Sequence, residues 1–164
     1  MNADEKFAIP PLENLRRLET ASLELEKKDE IYEKQWLEIL LKPGSSLGGA
    51  RPKATVKDVD GSLWIAKFPS KHDEIDSGAW EMVVNKLGVL CGLDVPNIAL
   101  KKFSSLGSTF LSKRFDRVYN DTSIKRVHYA SSMTLLGKVD GSTDASYLDI
   151  LELIKSISFS PQRD

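Results

Sequence analysis

The spacing of apolar residues along this chain changes from helical to alternating and then back to helical. Near the N-terminus, leucines recur at helical spacing, at Leu12, Leu15 and Leu18. A second helical stripe covers residues 32–40, and Pro43 and Gly44 then end the helical pattern. After a loose leader over residues 1–9, we expect a helical brace, of one long helix or two, that packs on a sheet.

A β-hairpin is predicted over residues 53–59 and 63–68. Asp60 and Gly61 lie between its arms, and we expect them to be the central residues of a type I′ turn. The second arm is apolar on both faces, which is typical of a covered strand. Lys67 interrupts this arm, and a lysine there is costly unless an anion or a carboxylate meets its ammonium group.

Further elements follow the hairpin. A helix is predicted over residues 75–92, and we expect it to pack on the sheet through one apolar stripe, formed by Trp80, Val83, Leu87 and Leu90. Two more strands are predicted over residues 97–103 and 108–115, and a polar loop over 119–123. Beyond a short helix over 130–136, Ser146 and Asp149 are spaced as a capping box that starts a final helix.

This order of elements predicts an α+β fold with a mostly antiparallel sheet and one packed helix. We divide the chain into a leader and helical brace (1–42), a sheet-containing lobe (43–118) and the first helices of a larger lobe (119–164). Cys91, Trp64 and Trp80 are expected to be buried apolar side chains. The last helix has an apolar side that needs a partner, so we expect the chain to be truncated.

Composition narrows the class of protein. The 164 residues carry a net charge of −1, which gives no general attraction to nucleic acid. With a single cysteine, no signal peptide and no long apolar run, we expect a cytoplasmic protein without a membrane segment. His72, His128 and Cys91 are too scattered to suggest a metal site.

Three features that are weak alone become specific in their order. The loop around Gly48 and Gly49 lacks the spacing of the common phosphate-binding motifs, and Lys67 or Glu81 alone could be a solvated residue. A glycine-rich loop, a hairpin, a strand lysine and then a helix glutamate is the layout of a protein-kinase small lobe. In that interpretation the strand over residues 110–115 is the hinge that meets adenine.

Several longer strings in this order resemble the HipA family of bacterial toxin serine/threonine kinases. They are SSLGGARPKA, WIAKFPS, GLDVP, LSKRFDR and RVHYASSMTLLG, and the similarity covers about residues 7–147. The resemblance implies a kinase that uses ATP and Mg²⁺ and is paired with a HipB-type DNA-binding antitoxin. In some members the protein substrate is an aminoacyl-tRNA synthetase.

The resemblance also implies roles for single residues. Ser46 matches the serine that these kinases autophosphorylate, and residues 112–115 match the hinge. The residues implied to bind ATP are Gly48, Gly49, Ala50, Lys67, Glu81, Lys113 and Phe115. The chain shows no aspartate closely followed by an asparagine in a catalytic-loop context, and no later metal-binding aspartate. We therefore expect an ATP-binding part that is inactive alone, with its catalytic residues unassigned.

Two other functions stay open. Basic residues from 101 to 126 interleave with aromatic ones, and such a mixture can form a groove for single-stranded nucleic acid. The near-zero net charge argues against that function, and cations along a sheet edge also deter aggregation. The other alternative is a non-catalytic module that keeps a degenerate nucleotide pocket for binding a partner.

Overall fold

A computed structural model describes residues 9–27, 51–120, 123–139 and 141–162. A 3-10 turn (Leu12–Asn14) leads into helix α1 (Leu15–Lys27). The strands and helices that follow are β1 (Lys53–Lys57), β2 (Leu63–Lys67), α2 (Ser77–Leu90), β3 (Ile98–Lys101), β4 (Thr109–Lys113), β5 (Arg117–Asn120), β6 (Ser123–Arg126), α3 (Ser132–Leu135) and α4 (Tyr147–Ile157). The chain divides after Lys125 into two compact units.

The first unit is built on a four-stranded antiparallel sheet in the order β1-β2-β4-β3. Together with the helices, this sheet confirms the predicted α+β class. Alternate residues of a strand point to opposite faces, so the register assigns each side chain to a face. Lys53 lies opposite Lys67, and Lys67 lies opposite Phe110, so these three side chains share one face.

Helix α1 covers the other face of the sheet. Leu15, Leu18 and Ala21 are buried there, and their apolar contacts form the main core, together with Ala54, Val56, Ala66, Phe68 and Leu111. Glu19 of α1 is buried too, and its carboxylate accepts a hydrogen bond from Thr109 Oγ1. The first part of the predicted brace therefore packs on the sheet, whereas its second stripe, residues 32–40, lies outside the described residues.

Helix α2 lies on the Lys67 face, but the prediction of which side it buries is wrong. Trp80 and Leu90, both in the predicted stripe, are 56% and 82% exposed, and Val83 and Leu87 are exposed as well. The residues of α2 that approach the sheet include Gly78 and Glu81. Most positions of α2 are apolar, so the apolar pattern could not distinguish its faces. Cys91, predicted to be buried, is also exposed.

The N-terminus of α2 is fastened to β4 by Asp76. Its carboxylate accepts hydrogen bonds from Ala79 N (3.0 Å) within the helix, and from Ser108 N (3.0 Å) and Ser108 Oγ (2.7 Å) immediately before β4. Burial favours the neutral acid, but the hydrogen bonds from Ser108 and Ala79 outweigh it and lower the pKa of Asp76.

Two local predictions need correction. The hairpin turn has three residues between its closing pair, since Asp58 N donates to Ser62 O (2.9 Å), and Gly61 has a φ of 83°. A two-residue type I′ turn centred on Asp60 and Gly61 is therefore wrong. The polar loop predicted over 119–123 is wrong at both ends, because β5 and β6 pair there as a second, two-stranded sheet.

The second unit contains α3 and α4. Ser146 Oγ accepts from Asp149 N (3.4 Å), and the Asp149 carboxylate accepts from Ser146 N (2.6 Å), which confirms the predicted capping box. Tyr147 and Leu148 of α4 are exposed. In the described residues, no helix combines the length and the apolar character that crossing a bilayer requires.

The contact between α2 and β4 yields a stability prediction at Gly78. A Cβ on this glycine would lie 2.2 Å from the backbone oxygen of Ser108, which cannot move aside without disturbing β4. Gly78→Ala should therefore lower the free energy of unfolding by about 3 kcal/mol or more, despite the gain of about 1 kcal/mol in helix propensity. Urea denaturation followed by circular dichroism measures the change.

Gly88→Ala in the same helix is the matched control. Its Cβ would meet the side chain of Val95 at 3.2 Å, and a side chain can adjust by a few tenths of an ångström. We expect a change within about 1 kcal/mol of wild type. Equal effects of the two substitutions would mean that α2 does not approach β4 at Gly78.

Candidate functional site

The ion pair between Lys67 and Glu81 joins the sheet to helix α2. Lys67 is the last residue of β2, and its Nζ lies 2.5 Å from Glu81 Oε2. The two side chains are 35% and 33% exposed, so both charges reach the solvent at the edge of a cleft. Lys67 Nζ also lies 5.8 Å from the centre of the Phe110 ring. The structure thus brings together the strand lysine and the helix glutamate that the sequence singled out.

Lys53 is a second cation on the same face, and the sequence analysis did not single it out. The residue as a whole is 8% exposed, and it lies directly across from Lys67 in the β1–β2 register. Burial is the main cause that lowers the pKa of Lys53; Lys67 and Arg51 lower it further, while Glu81 opposes them. Closing the hairpin at Asp58 and Ser62, with residues 59–61 in the turn, is what places Lys53 opposite Lys67.

Lys67 and Glu81 line a cleft of about 590 Å³ between α2 and the sheet. Its walls are largely apolar, and its other lining residues are Ile65, Ile75, Ser77, Trp80, Val84, Asn85, Phe110 and Ser112. A mostly apolar cleft with a few charged and polar groups is typical of a site for a small molecule.

The predicted hinge divides between the two faces of the sheet. Ser112 lines the cleft, whereas Lys113 pairs with Trp64 and its side chain lies on the opposite face, 5.6 Å from the Tyr119 ring centre. Lys113 N donates to Asn97 O (2.8 Å), so this amide is used within the sheet. Phe115 is 66% exposed. The adenine contacts assigned to Lys113 and Phe115 remain predictions.

The glycine-rich loop lies outside the described residues. Ser46, Gly48, Gly49 and Ala50 all belong to it, so their roles remain predictions. The next residue, Arg51, is described and lies two positions before β1.

A buried acidic residue follows the hinge. Asp116, whose side chain is 7% exposed, accepts from Arg114 Nε (2.8 Å) and Nη2 (2.6 Å), and from Arg117 Nη1 (2.5 Å). The hydrogen bond from Arg114 is the largest cause that lowers the pKa of Asp116; burial opposes it, and the charges of both arginines add to it. Asp116 therefore fixes the chain between β4 and β5.

No metal-binding group is assigned. Within the ranges that the structure describes, no three His, Cys, Asp or Glu side chains come together as ligands for an ion. His128 is exposed.

The Asp116 network predicts a large effect of removing its charge. Asp116→Asn would leave two nearly buried guanidinium groups without their carboxylate, so we expect a loss of about 3–5 kcal/mol in the free energy of unfolding. Asp60→Asn is the control, since Asp60 is exposed, lies 3.9 Å from Lys113 and as Asn would keep a side-chain oxygen for the hydrogen bond from Ser62 N, so it should cost far less. Similar losses for the two variants in urea titrations would contradict the importance of this network.

The same network sets a pH dependence. The pKa of Asp116 is lower in the folded protein than its ordinary value of about 3.9. Its contribution to the free energy of unfolding is therefore complete above about pH 3.9 and is lost as the pH falls through the pKa of the folded state. Below about pH 4, wild-type stability should therefore fall more steeply than that of Asp116→Asn. Parallel slopes would show that this carboxylate does not titrate with unfolding.

Comparison with known families identifies the chain. Residues 45–164 match the family model described as the HipA-like C-terminal domain, whereas no solved structure matches. The matched region begins at the glycine-rich loop and includes Lys67, Glu81 and Asp116. Since it covers more than half of the 164 residues, the chain belongs to the HipA-like family, which includes kinases related to toxin–antitoxin systems.

Proposed function

We propose that this chain is the ATP-binding part of a HipA-like serine/threonine kinase that acts as the toxin of a toxin–antitoxin pair. The observation that carries the proposal is the Lys67–Glu81 ion pair at the edge of the cleft. In protein kinases a strand lysine paired with a helix glutamate binds nucleotide phosphates. Here the same pair joins the sheet to α2.

The charges of the site fit a polyphosphate. Lys53 and Lys67 lie side by side, and Glu81 is the carboxylate that bonds to Lys67. Two like charges directly opposite each other on adjacent strands repel, and burial of Lys53 increases the cost. An anion that meets both ammonium groups would relieve that repulsion. The lowered pKa of Lys53 would then rise towards its ordinary value on binding.

The cleft fits a nucleoside next to those phosphates. Ile65, Phe110 and Ser112 provide a surface on the sheet against which a flat base could lie. When bound, ATP would supply the γ-phosphoryl group for transfer to a serine or threonine hydroxyl of the substrate.

The biological partners of the site are proposals that follow from the family. We propose a HipB-type DNA-binding antitoxin as the binding partner, an aminoacyl-tRNA synthetase as a candidate substrate, and a cytoplasmic location. Autophosphorylation of Ser46 would add close to two negative charges beside the glycine-rich loop at neutral pH. This charge would compete with ATP for the same cations and would therefore inactivate the kinase.

The alternatives gain less support. For nucleic-acid binding, the basic stretch would have to present its cations to the phosphate backbone, yet Arg114 and Arg117 are directed onto the buried Asp116. A non-catalytic partner-binding module would keep the same cleft, so it differs from the kinase by lacking phosphoryl transfer in the complete protein.

Nucleotide affinity of variants at the ion pair tests the proposal. Lys67→Met and Glu81→Gln should each weaken MgATP binding at least about tenfold in calorimetric titrations, because the phosphates lose a cation or the cation loses its fixed position. Both side chains are one third exposed, so stability should change by less than about 1 kcal/mol.

Lys101→Met is the matched control. This lysine is exposed at the end of β3, and its side chain lies on the α1 face. We expect unchanged MgATP affinity. Wild-type protein that fails to bind MgATP, but binds a single-stranded oligonucleotide with an affinity that falls steeply with salt, would instead support the nucleic-acid function.

A further inference from the structure

Arg51 connects the segment before β1 to the end of β2. Its Nε donates to Phe68 O at 2.9 Å, and its Nη2 forms an ion pair with Asp73. The neighbouring Pro52 O accepts from Phe68 N at 3.0 Å. Phe68 directly follows Lys67, so these bonds hold the backbone next to Lys67 against the segment that precedes Lys53.

Asp73 extends the connection to helix α2. Its side chain is 13% exposed; Oδ2 accepts from Ser70 N at 2.8 Å, and Oδ1 lies 3.5 Å from Ser77 Oγ. Ser77 is the first residue of α2, about one turn before Glu81. A single guanidinium is therefore bonded to the loop that joins the strand of Lys67 to the helix of Glu81.

The planar fork of arginine is what this position requires. A guanidinium can donate in fixed directions to a carbonyl and a carboxylate at the same time, whereas a lysine ammonium is a point charge on a flexible stem. The backbone oxygen of Phe68 and the carboxylate of Asp73 belong to one loop, so holding both prevents the loop from shifting relative to β1.

We propose that Arg51 is a positioning residue that fixes the spacing of Lys53, Lys67 and Glu81 and so tunes the site to nucleotides with several phosphates. The inference rests on the proposed nucleotide-binding function. The binding of a polyphosphate that contacts both lysines depends on the distance between them, whereas the binding of the base and the sugar does not. Loss of Arg51 should therefore reduce the preference for ATP over AMP and leave the binding of AMP nearly unchanged.

The experiment measures the dissociation constants of MgATP and AMP for the wild type, Arg51→Ala and Arg51→Lys by calorimetry. Arg51→Ala should weaken MgATP binding about tenfold and AMP binding less than about twofold. Arg51→Lys keeps the charge but loses the fork, so it should show most of the same loss. Lys138→Ala, which removes a cation from the Lys138–Asp144 pair in the second unit, is the control and should change neither constant.

The outcomes separate this inference from the function on which it rests. Wild-type protein without MgATP binding would remove the proposed function itself. If the wild type does bind MgATP, two results would overturn the role of Arg51. One is that Arg51→Ala weakens the binding of MgATP and AMP by the same factor, and the other is that Arg51→Lys binds MgATP as tightly as the wild type. Should Arg51→Ala not fold, Arg51→Lys and Asp73→Asn provide the same comparison, since both retain a polar group at the site.

A double-mutant cycle gives a second readout. If Arg51 acts through Lys67, adding Arg51→Ala to Lys67→Met should weaken MgATP binding less than about twofold further, far below its effect alone. If Arg51 only stabilised the fold in general, the effects of the two substitutions on the MgATP dissociation constant would multiply. That result would contradict the proposal that Arg51 positions Lys67.

Discussion

The site depends on how closely helix α2 approaches strand β4. Gly78 allows that approach, because any Cβ there would collide with the Ser108 backbone, and Asp76 then fastens the helix end to the same residue. Glu81 follows Gly78 by about one turn and is thereby brought within hydrogen-bonding distance of Lys67. The ion pair is therefore a consequence of backbone packing, and its own contribution to stability is small since both groups reach the solvent.

The two faces of the sheet differ, since one forms the hydrophobic core and the other carries the cleft. The α1 face is apolar and supplies the core, with Leu15 and Leu18 packed on Ala54 and Leu111. The α2 face carries Lys53, Lys67 and a cleft, which residues of the helix line together with residues of the sheet. Two lysines directly opposite each other on adjacent strands repel, and Glu81 offsets part of that repulsion through its bond to Lys67.

The sequence predicted the fold class, the capping box of the last helix and the pairing of Lys67 with Glu81, because these follow from local patterns and from the order of motifs. The prediction failed for the features that tertiary contacts determine. The buried side of α2 is selected by Gly78 and Asp76, which an apolar count does not weigh, and Lys53 becomes significant only through cross-strand register. The β5–β6 pair was missed because its residues are polar and its turn region reads as loop.

Covalent labelling with an acyl-phosphate derivative of ATP would test the central claim most directly, since such a reagent acylates lysines that lie next to bound phosphates. Mass spectrometry of the labelled protein should find the modification on Lys67 and Lys53, and excess MgATP should suppress it. Lys101, on the other face, should be labelled weakly and without competition. Labelling spread evenly over the surface lysines and unaffected by MgATP would contradict a phosphate site on the α2 face.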